Sequence, residues 1–435
     1  MGRAAREGGF LIAIALVGLG VVWQNMFPSS PWGWGAMAAG LVLGIATRQI
    51  RPARTPLDGP ALLLALMGGV SLWATAFPEI TWAQVVRLWS GLIGGCAVLW
   101  WAGNRARLTW TACGLIAAGV AMAALSFVTV RWSQTKLFLI PEAFYARFPL
   151  LVSDAVHPNI MASAMVLLLP LPLALLASPL ADAGRPVRYR LLLRGVLAVA
   201  VLLMGVVLLL TKSRGGYVAA AVGVLALLWL SGRRGLALAL LLVCVVIGVW
   251  LVSYGGNVET MVDLVDRTAD PATLAFRLNV WRVALWMMAD FPFTGVGMGT
   301  FNEVGALLYP FYETQNPGAH NVYLQAGVDL GLPGLIAYLA FLGLVVWMAG
   351  QAVRRCEEAG SSVLHRVAIG GLSGMIALLV HGLIDVTLWN TRAAFLPWLV
   401  MGMLAALHRC TREVDDRACT GLSSGAARTV DCDPP

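Results

Sequence analysis

Twelve long apolar stretches dominate this chain of 435 residues and decide what it can fold into. They cover residues 10–26, 34–47, 61–77, 82–101, 108–130, 159–178, 192–210, 216–231, 236–254, 321–350, 367–385 and 393–407. A hydrocarbon layer of about 30 Å is crossed by roughly 17–25 such residues in a helix. The second, eighth and twelfth stretches are short by this measure. The tenth is long and carries Gly331-Leu332-Pro333-Gly334, a sequence that breaks or bends a helix. The whole chain is 59% hydrophobic and only 12% charged, with a mean hydropathy of +0.79. A soluble globular domain needs about twice that charge, so soluble, disordered and disulfide-rich secreted classes are excluded. The expected fold is an all-α integral membrane protein with about 12 transmembrane helices. The 17 Trp residues suit the membrane–water interface. The first stretch is too long, and lacks the small-residue cleavage site, for a cleaved signal peptide.

The net charge of +8 comes from 28 Arg and 2 Lys in small groups, with no basic run, so no nucleic-acid partner is expected. Placing the N-terminus in the cytoplasm puts 20 of these 30 cations in short inner loops and the tail, as the positive-inside rule requires. Both termini are then cytoplasmic. The ten outer cations are Arg87, Arg131, Lys136, Arg147, Lys212, Arg214, Arg267, Arg277, Arg282 and Arg392. Insertion energetics disfavours them there, which makes them the first functional candidates. No Cys falls in an outer loop, so no disulfide is expected.

Residues 1–408 read as one polytopic membrane domain, with outer segments 131–158 and 255–319, and residues 409–435 as a disordered cytoplasmic tail. The second outer segment lies between the ninth and tenth helices. Its middle, 273–290, repeats Phe276, Val280, Ala284 and Met287 at helical spacing, so an amphipathic helix at the membrane surface is expected. The first holds Phe138, Leu139, Ile140, Phe144, Tyr145 and Phe148, too apolar for a free loop; it reads as a surface helix or as a wall for a lipid-linked substrate.

Five patterns carry candidate chemistry. Thr211-Lys212-Ser213-Arg214-Gly215-Gly216 presents two cations and two glycines in a short turn. Gly permits close backbone approach, and Arg offers a donor fork suited to phosphate; helix-end anchoring is the competing reading. Arg277 and Arg282 stand about 140° apart on their helix, so both cannot face one ligand, and headgroup contact is the alternative for each. His320 sits where the large outer segment enters the tenth stretch. Neighbouring cations disfavour its imidazolium, leaving a ring able to accept a proton; a structural histidine is the competing reading. Asn321, Gln325 and Asp329 follow at i, i+4, i+8 as a polar stripe. His381 and Asp385 form an i, i+4 pair at the outer end of the eleventh stretch, equally readable as a structural tie between helices. Gly295-Val296-Gly297-Met298-Gly299 lacks the strand and spacing of a dinucleotide motif and reads as a tight turn. Gly327 with Gly331, and Gly370 with Gly374, have the spacing of close helix packing.

The order of these pieces resembles the O-antigen ligase and O-antigen polymerase superfamily of bacterial envelopes. The resemblance rests on Thr211 to Gly216, on Arg277-Leu278-Asn279-Val280-Trp281, on Phe291 to Phe301, and on His320 to Gly334; its specific part spans residues 212–385. It implies a multi-span, GT-C-like glycosyltransferase of the bacterial inner membrane with its active site facing the periplasm. The donor would be a glycan on undecaprenyl pyrophosphate, and the acceptor of a ligase would be lipid A–core. The resemblance assigns essential roles to Arg214, Arg277 and His320. Lys212, Arg147 and Arg282 join the arginines as pyrophosphate-binding candidates on charge and location. Asn321, His381 and Asp385 are supporting candidates, with Asp385 an alternative base. No metal motif lies on the outer side, so neither metal nor other cofactor is expected, and an Arg/Lys cluster would stabilise the leaving group. Ligase is favoured over polymerase. The short tail weighs against a protein O-oligosaccharyltransferase. A transporter or flippase fits less well, because the longest loop is outside and no internal repeat is evident.

Overall fold

A computed structural model describes residues 3–47, 54–132, 145, 147–152, 154–177, 186–243, 274–309, 318–360 and 362–421. The helices are α1 (Arg3–Met26), α2 (Pro31–Ala46), α3 (Asp58–Ala74), α4 (Pro78–Trp101), α5 (Arg105–Thr129), α6 (Pro158–Leu168), α7 (Pro170–Leu176), α8 (Val187–Leu210), α9 (Arg214–Leu230), α10 (Arg234–Val243), α11 (Leu274–Asp290), α12 (Phe301–Leu308), α13 (Val322–Glu358), α14 (Ser362–His381) and α15 (Phe395–Gly421). There is no strand among the described residues beyond an isolated bridge between Val130 and Val156. Among the described residues seven spans are long and apolar enough to cross a membrane: α1, α4, α5, the α6–α7 pair, α8, α13 and α14. α2, α3, α9 and α10 are shorter apolar helices. Each of the twelve apolar stretches coincides with a helix, the ninth over its described part.

Local sequence sets many of the helix ends. Ser30, Asn104, His157, Ser213 and Asn321 each accept a backbone N–H from the first turn of the helix they precede, which satisfies donors that a helix start leaves open. Pro31, Pro78 and Pro158 open α2, α4 and α6, where a missing N–H is harmless. The bend expected in the tenth stretch falls at Gly331, whose φ of +68° interrupts α13. A Cβ there would lie 2.7 Å from the Phe293 carbonyl, so glycine is required on both counts.

α14 lies at the centre of the site-bearing half, packed against α6, α7, α9, α13 and α15. Its glycines allow this. A Cβ at Gly374 would sit 2.0 Å from the Leu167 oxygen, and one at Gly370 would sit 2.8 Å from Leu171 Cα. Such close backbone contact is the usual means of holding helices together where lipid supplies no hydrophobic drive.

α11 forms where its periodicity predicts. Val280, Ala284 and Met287 are buried, together with Val283; the side chain of Phe276 lies outside the described residues. The buried stripe packs on Val296, Phe301, Val304, Ala319 and Val328, so this face belongs to the protein core. The opposite face exposes Leu278, Leu285 and Trp286. Before α6, Tyr145 and Phe148 pack with Trp132 and Phe127. Phe138, Leu139, Ile140, Phe144, Lys136 and Arg267 lie outside the described residues. Residues 409–421, expected as part of a disordered tail, instead continue α15 to Gly421. The sequence explains this: Arg409 and Glu413, Arg412 and Asp416, and Glu413 and Arg417 have the i, i+4 spacing that supports a helix.

Candidate active site

Several of the patterns singled out in the sequence meet at one end of the bundle. The C-terminal ends of α8 and α14 and the N-terminal ends of α6, α9 and α13 all lie there. Arg214 is the first residue of α9 and is exposed. Ser213 caps the helix by accepting the Gly216 N–H at 3.2 Å. The helix start therefore carries positive dipole character beside a guanidinium, a favourable place for an anion. Gly215 packs directly on α14: a Cβ would lie 3.2 Å from His381 Cδ2 and 2.6 Å from Ile384 Cδ1. Gly215 thus brings the Arg214 turn against the His381–Asp385 corner, and Gly216 sets it on α6, where a Cβ would lie 3.0 Å from Ala162 Cβ.

That corner is tied to α6 and to the start of α13. His381 is buried, and its Nδ1 lies 3.1 Å from Ser163 Oγ. Ser163 Oγ in turn donates to the Asn159 carbonyl at 2.8 Å. The Asp385 carboxylate accepts from Asn159 Nδ2 at 2.5 Å and from the Val386 N–H at 2.8 Å. Its Oδ1 lies 3.9 Å from His320 Nδ1, an ionic contact when the imidazole is protonated and too long for a hydrogen bond. The side chains of His320 and Asp385 are 25% and 15% exposed, so both are screened from bulk water and still reachable.

His320 has a φ of +47°, an uncommon conformation for a residue with a side chain. The surrounding bonds impose it. The Ala319 N–H donates to Gln325 Oε1 at 2.7 Å, the Val322 N–H to the Gly382 carbonyl at 2.8 Å, and Asn321 Nδ2 to the Leu383 carbonyl at 3.0 Å. Asn321 Oδ1 also caps α13 through the Tyr323 and Leu324 N–H groups. Asn321 is thus engaged in holding His320 beside Asp385.

The remaining sequence candidates fall in different places. Arg277 is half-buried on α11 and within electrostatic range of His381. Among the described residues neither Arg214 nor Arg277 has a carboxylate partner. Arg282 is exposed on the opposite face of α11, with Leu278, Leu285 and Trp286, as the 140° separation implies. Arg147 is exposed in the loop before α6. Lys212 is 2% exposed, with a φ of +50° and its Nζ 4.6 Å from the centre of the Tyr145 ring. Tyr145 donates its hydroxyl to the Leu210 carbonyl at 3.1 Å. Burial, helped by Tyr217, pushes its phenol up to about 12. It therefore offers Lys212 a neutral ring face. Lys212 is a positive charge behind the Arg214 turn rather than a group at its surface.

Asn159 and Ser163 belong to no site pattern in the sequence; the packing of α6 on α14 brings them to this corner. The Gly295–Gly299 turn is tight as expected, with positive φ at Gly295, Gly297 and Gly299. Among the described residues no three His, Cys, Asp or Glu side chains converge as metal ligands.

Residues 199–339 match the sequence profile of the family described as O-antigen ligase. The similarity to that family extends over about a third of the chain. No curated protein sequence matches the chain significantly. The O-antigen ligase match takes in Lys212, Arg214, Arg277 and His320. Asn159, Ser163, His381 and Asp385 lie outside it and complete the same cluster from α6 and the end of α14.

Proposed function

We propose that the protein is an O-antigen ligase. It moves O-antigen glycan from undecaprenyl pyrophosphate to lipid A–core at the periplasmic face of the bacterial inner membrane. The observation that carries this reading is the convergence of Arg214, at a helix start and with no carboxylate partner among the described residues, with the His320–Asp385 pair, in a chain whose residues 199–339 are similar to that family.

The chemistry follows from the charges. An acceptor hydroxyl oxygen attacks the anomeric carbon, and the bond from that carbon to the pyrophosphate oxygen breaks. The leaving group departs with the electron pair and gains negative charge. Arg214, the α9 N-terminus and Arg277 stabilise that charge through preorganised donors, with Lys212 adding buried positive charge behind the turn. Arg147 stands in a loop that borders the donor's approach, and Arg282 contacts lipid headgroups. His320 takes the hydroxyl proton on Nε2, and Asp385 stabilises the imidazolium from the Nδ1 side. General base catalysis of this kind is worth about 10²–10⁴-fold. His381 and Ser163 hold the Asp385 corner against the Arg214 turn. In-line attack inverts the anomeric centre, and no metal ion takes part.

The test is complementation of a ligase-deleted host. His320→Ala and Arg214→Ala proteins insert normally and give no smooth lipopolysaccharide. Normal O-antigen ladders from both would end the proposal. The gel also distinguishes the polymerase reading: loss of a ligase leaves bare core with long glycan on the lipid carrier, whereas loss of a polymerase leaves core capped by one repeat.

A further inference from the structure

Asp329 is a carboxylate with no exposure to solvent, in the first half of α13, two residues before the Gly331 kink. It is not a part of the cluster described above. Its two oxygens accept four hydrogen bonds. Oδ1 takes Gln325 Nε2 at 2.8 Å and the Gly299 N–H at 3.2 Å. Oδ2 takes Trp389 Nε1 at 2.8 Å and Asn390 Nδ2 at 2.7 Å. Among the described residues no cation pairs with it. Four N–H donors converging on one side chain explain why an acceptor-only group stands here. An amide would turn two donors of its own toward them.

Gln325 lies one turn earlier on α13 itself; the other three donors, on Gly299, Trp389 and Asn390, come from turns outside the helices. Gly299 closes the glycine turn. Trp389 and Asn390 close the turn that begins at Asp385, in which Thr387 and Asn390 both have a φ of +55°. Gln325 continues the network, because its Oε1 accepts the Ala319 N–H immediately before His320, at 2.7 Å. Residues held in such sparsely populated conformations persist only where the surroundings over-determine them. One buried carboxylate therefore anchors both the backbone that presents His320 and the turn that presents Asp385, while touching neither side chain.

We infer that Asp329 and Gln325 are positioning residues that set the His320–Asp385 geometry. This rests on the reading of His320 as the base. A misplacement of about 1 Å at a reacting group is worth on the order of 10²-fold in rate, and Gln325 is the lever nearest to His320. A hub serving only stability would leave the turnover of folded protein unchanged when one arm is cut.

Gln325→Met cuts the arm to Ala319 and leaves the other three bonds to Asp329 in place. In purified, lipid-reconstituted protein its kcat falls by about 10–100-fold while the KM for lipid-linked donor stays within about twofold. His320 reactivity toward diethyl pyrocarbonate, followed by mass spectrometry against exposed His157 in the same molecule, changes at least about threefold. Trp389→Phe tests the other arm: kcat falls, and the His320 labelling rate stays at the wild-type value. Wild-type kcat in both variants, or wild-type His320 labelling in Gln325→Met, overturns the inference. The two readings fail separately. Full activity in His320→Ala removes the catalytic reading while the labelling rate still decides the positioning. An inactive His320→Ala beside an unchanged Gln325→Met removes the positioning alone.

Discussion

Replacing Asp385 by Asn tests the pairing at the centre of the site with little disturbance to the fold. The new amide keeps an oxygen for the Val386 N–H, and its nitrogen then faces Asn159. Asn159 can turn its own amide over and accept with its carbonyl, so the link to α6 survives. What is lost is the charge 3.9 Å from His320 Nδ1. A full ion pair at that distance is worth about 1 kcal/mol in water and about 4 kcal/mol at an effective dielectric of about 20. With the two side chains 25% and 15% exposed, an intermediate value of about 2–3 kcal/mol is appropriate. That loss, felt only as the imidazolium forms, lowers kcat by roughly 30–150-fold and leaves donor KM nearly unchanged. The assay is single-turnover glycan transfer in nanodiscs, with His320→Ala and the double variant beside it. The double variant is expected to be no slower than His320→Ala alone, because Asp385 acts through the imidazole. A twofold effect or less in Asp385→Asn would refute the reasoning. A full further loss in the double variant would make Asp385 an independent base.

Arg214→Lys keeps the charge and loses the fork; it is expected to lower kcat/KM by about 10-fold or more, and Arg214→Ala further, measured with the same donor. Gly215→Val drives a side chain into His381 and Ile384 and is expected to abolish transfer while membrane insertion, followed by fractionation and blotting, remains normal. Gly374→Ala places a Cβ 2.0 Å from the Leu167 oxygen; overpacking of this kind costs about 1–3 kcal/mol, visible as a lowered unfolding temperature in detergent. Transfer in excess chelator is expected to proceed at the untreated rate, and abolished turnover would contradict a site built on arginines.

Much of the helical plan was legible in the sequence because apolar runs at bilayer length leave few alternatives. The Arg214 turn, His320 and the His381–Asp385 pair were legible for a related reason: charge at a helix end in an apolar chain has few uses. Their partners were not legible. Asp385 meets Asn159 across 226 positions of sequence, and no local pattern encodes that contact. Lys212 looked like a twin of Arg214, but a left-handed backbone at Lys212 turns its side chain inward under Tyr145. Asp329 was visible only as one step in a polar stripe. Its role as a hub depends on where the Gly299 and Trp389 turns fold back, and tertiary packing alone sets that.

The most direct test of the central claim is transfer by the purified protein between two defined substrates. Wild-type and His320→Ala proteins are each given glycan on undecaprenyl pyrophosphate together with lipid A–core, and the product is resolved by gel and mass spectrometry. The wild type is expected to form glycan-bearing lipid A–core with release of undecaprenyl pyrophosphate, and His320→Ala to form about 10²-fold less or lower. Equal product from both proteins, or extension of the lipid-linked glycan with no transfer to core, would contradict the account.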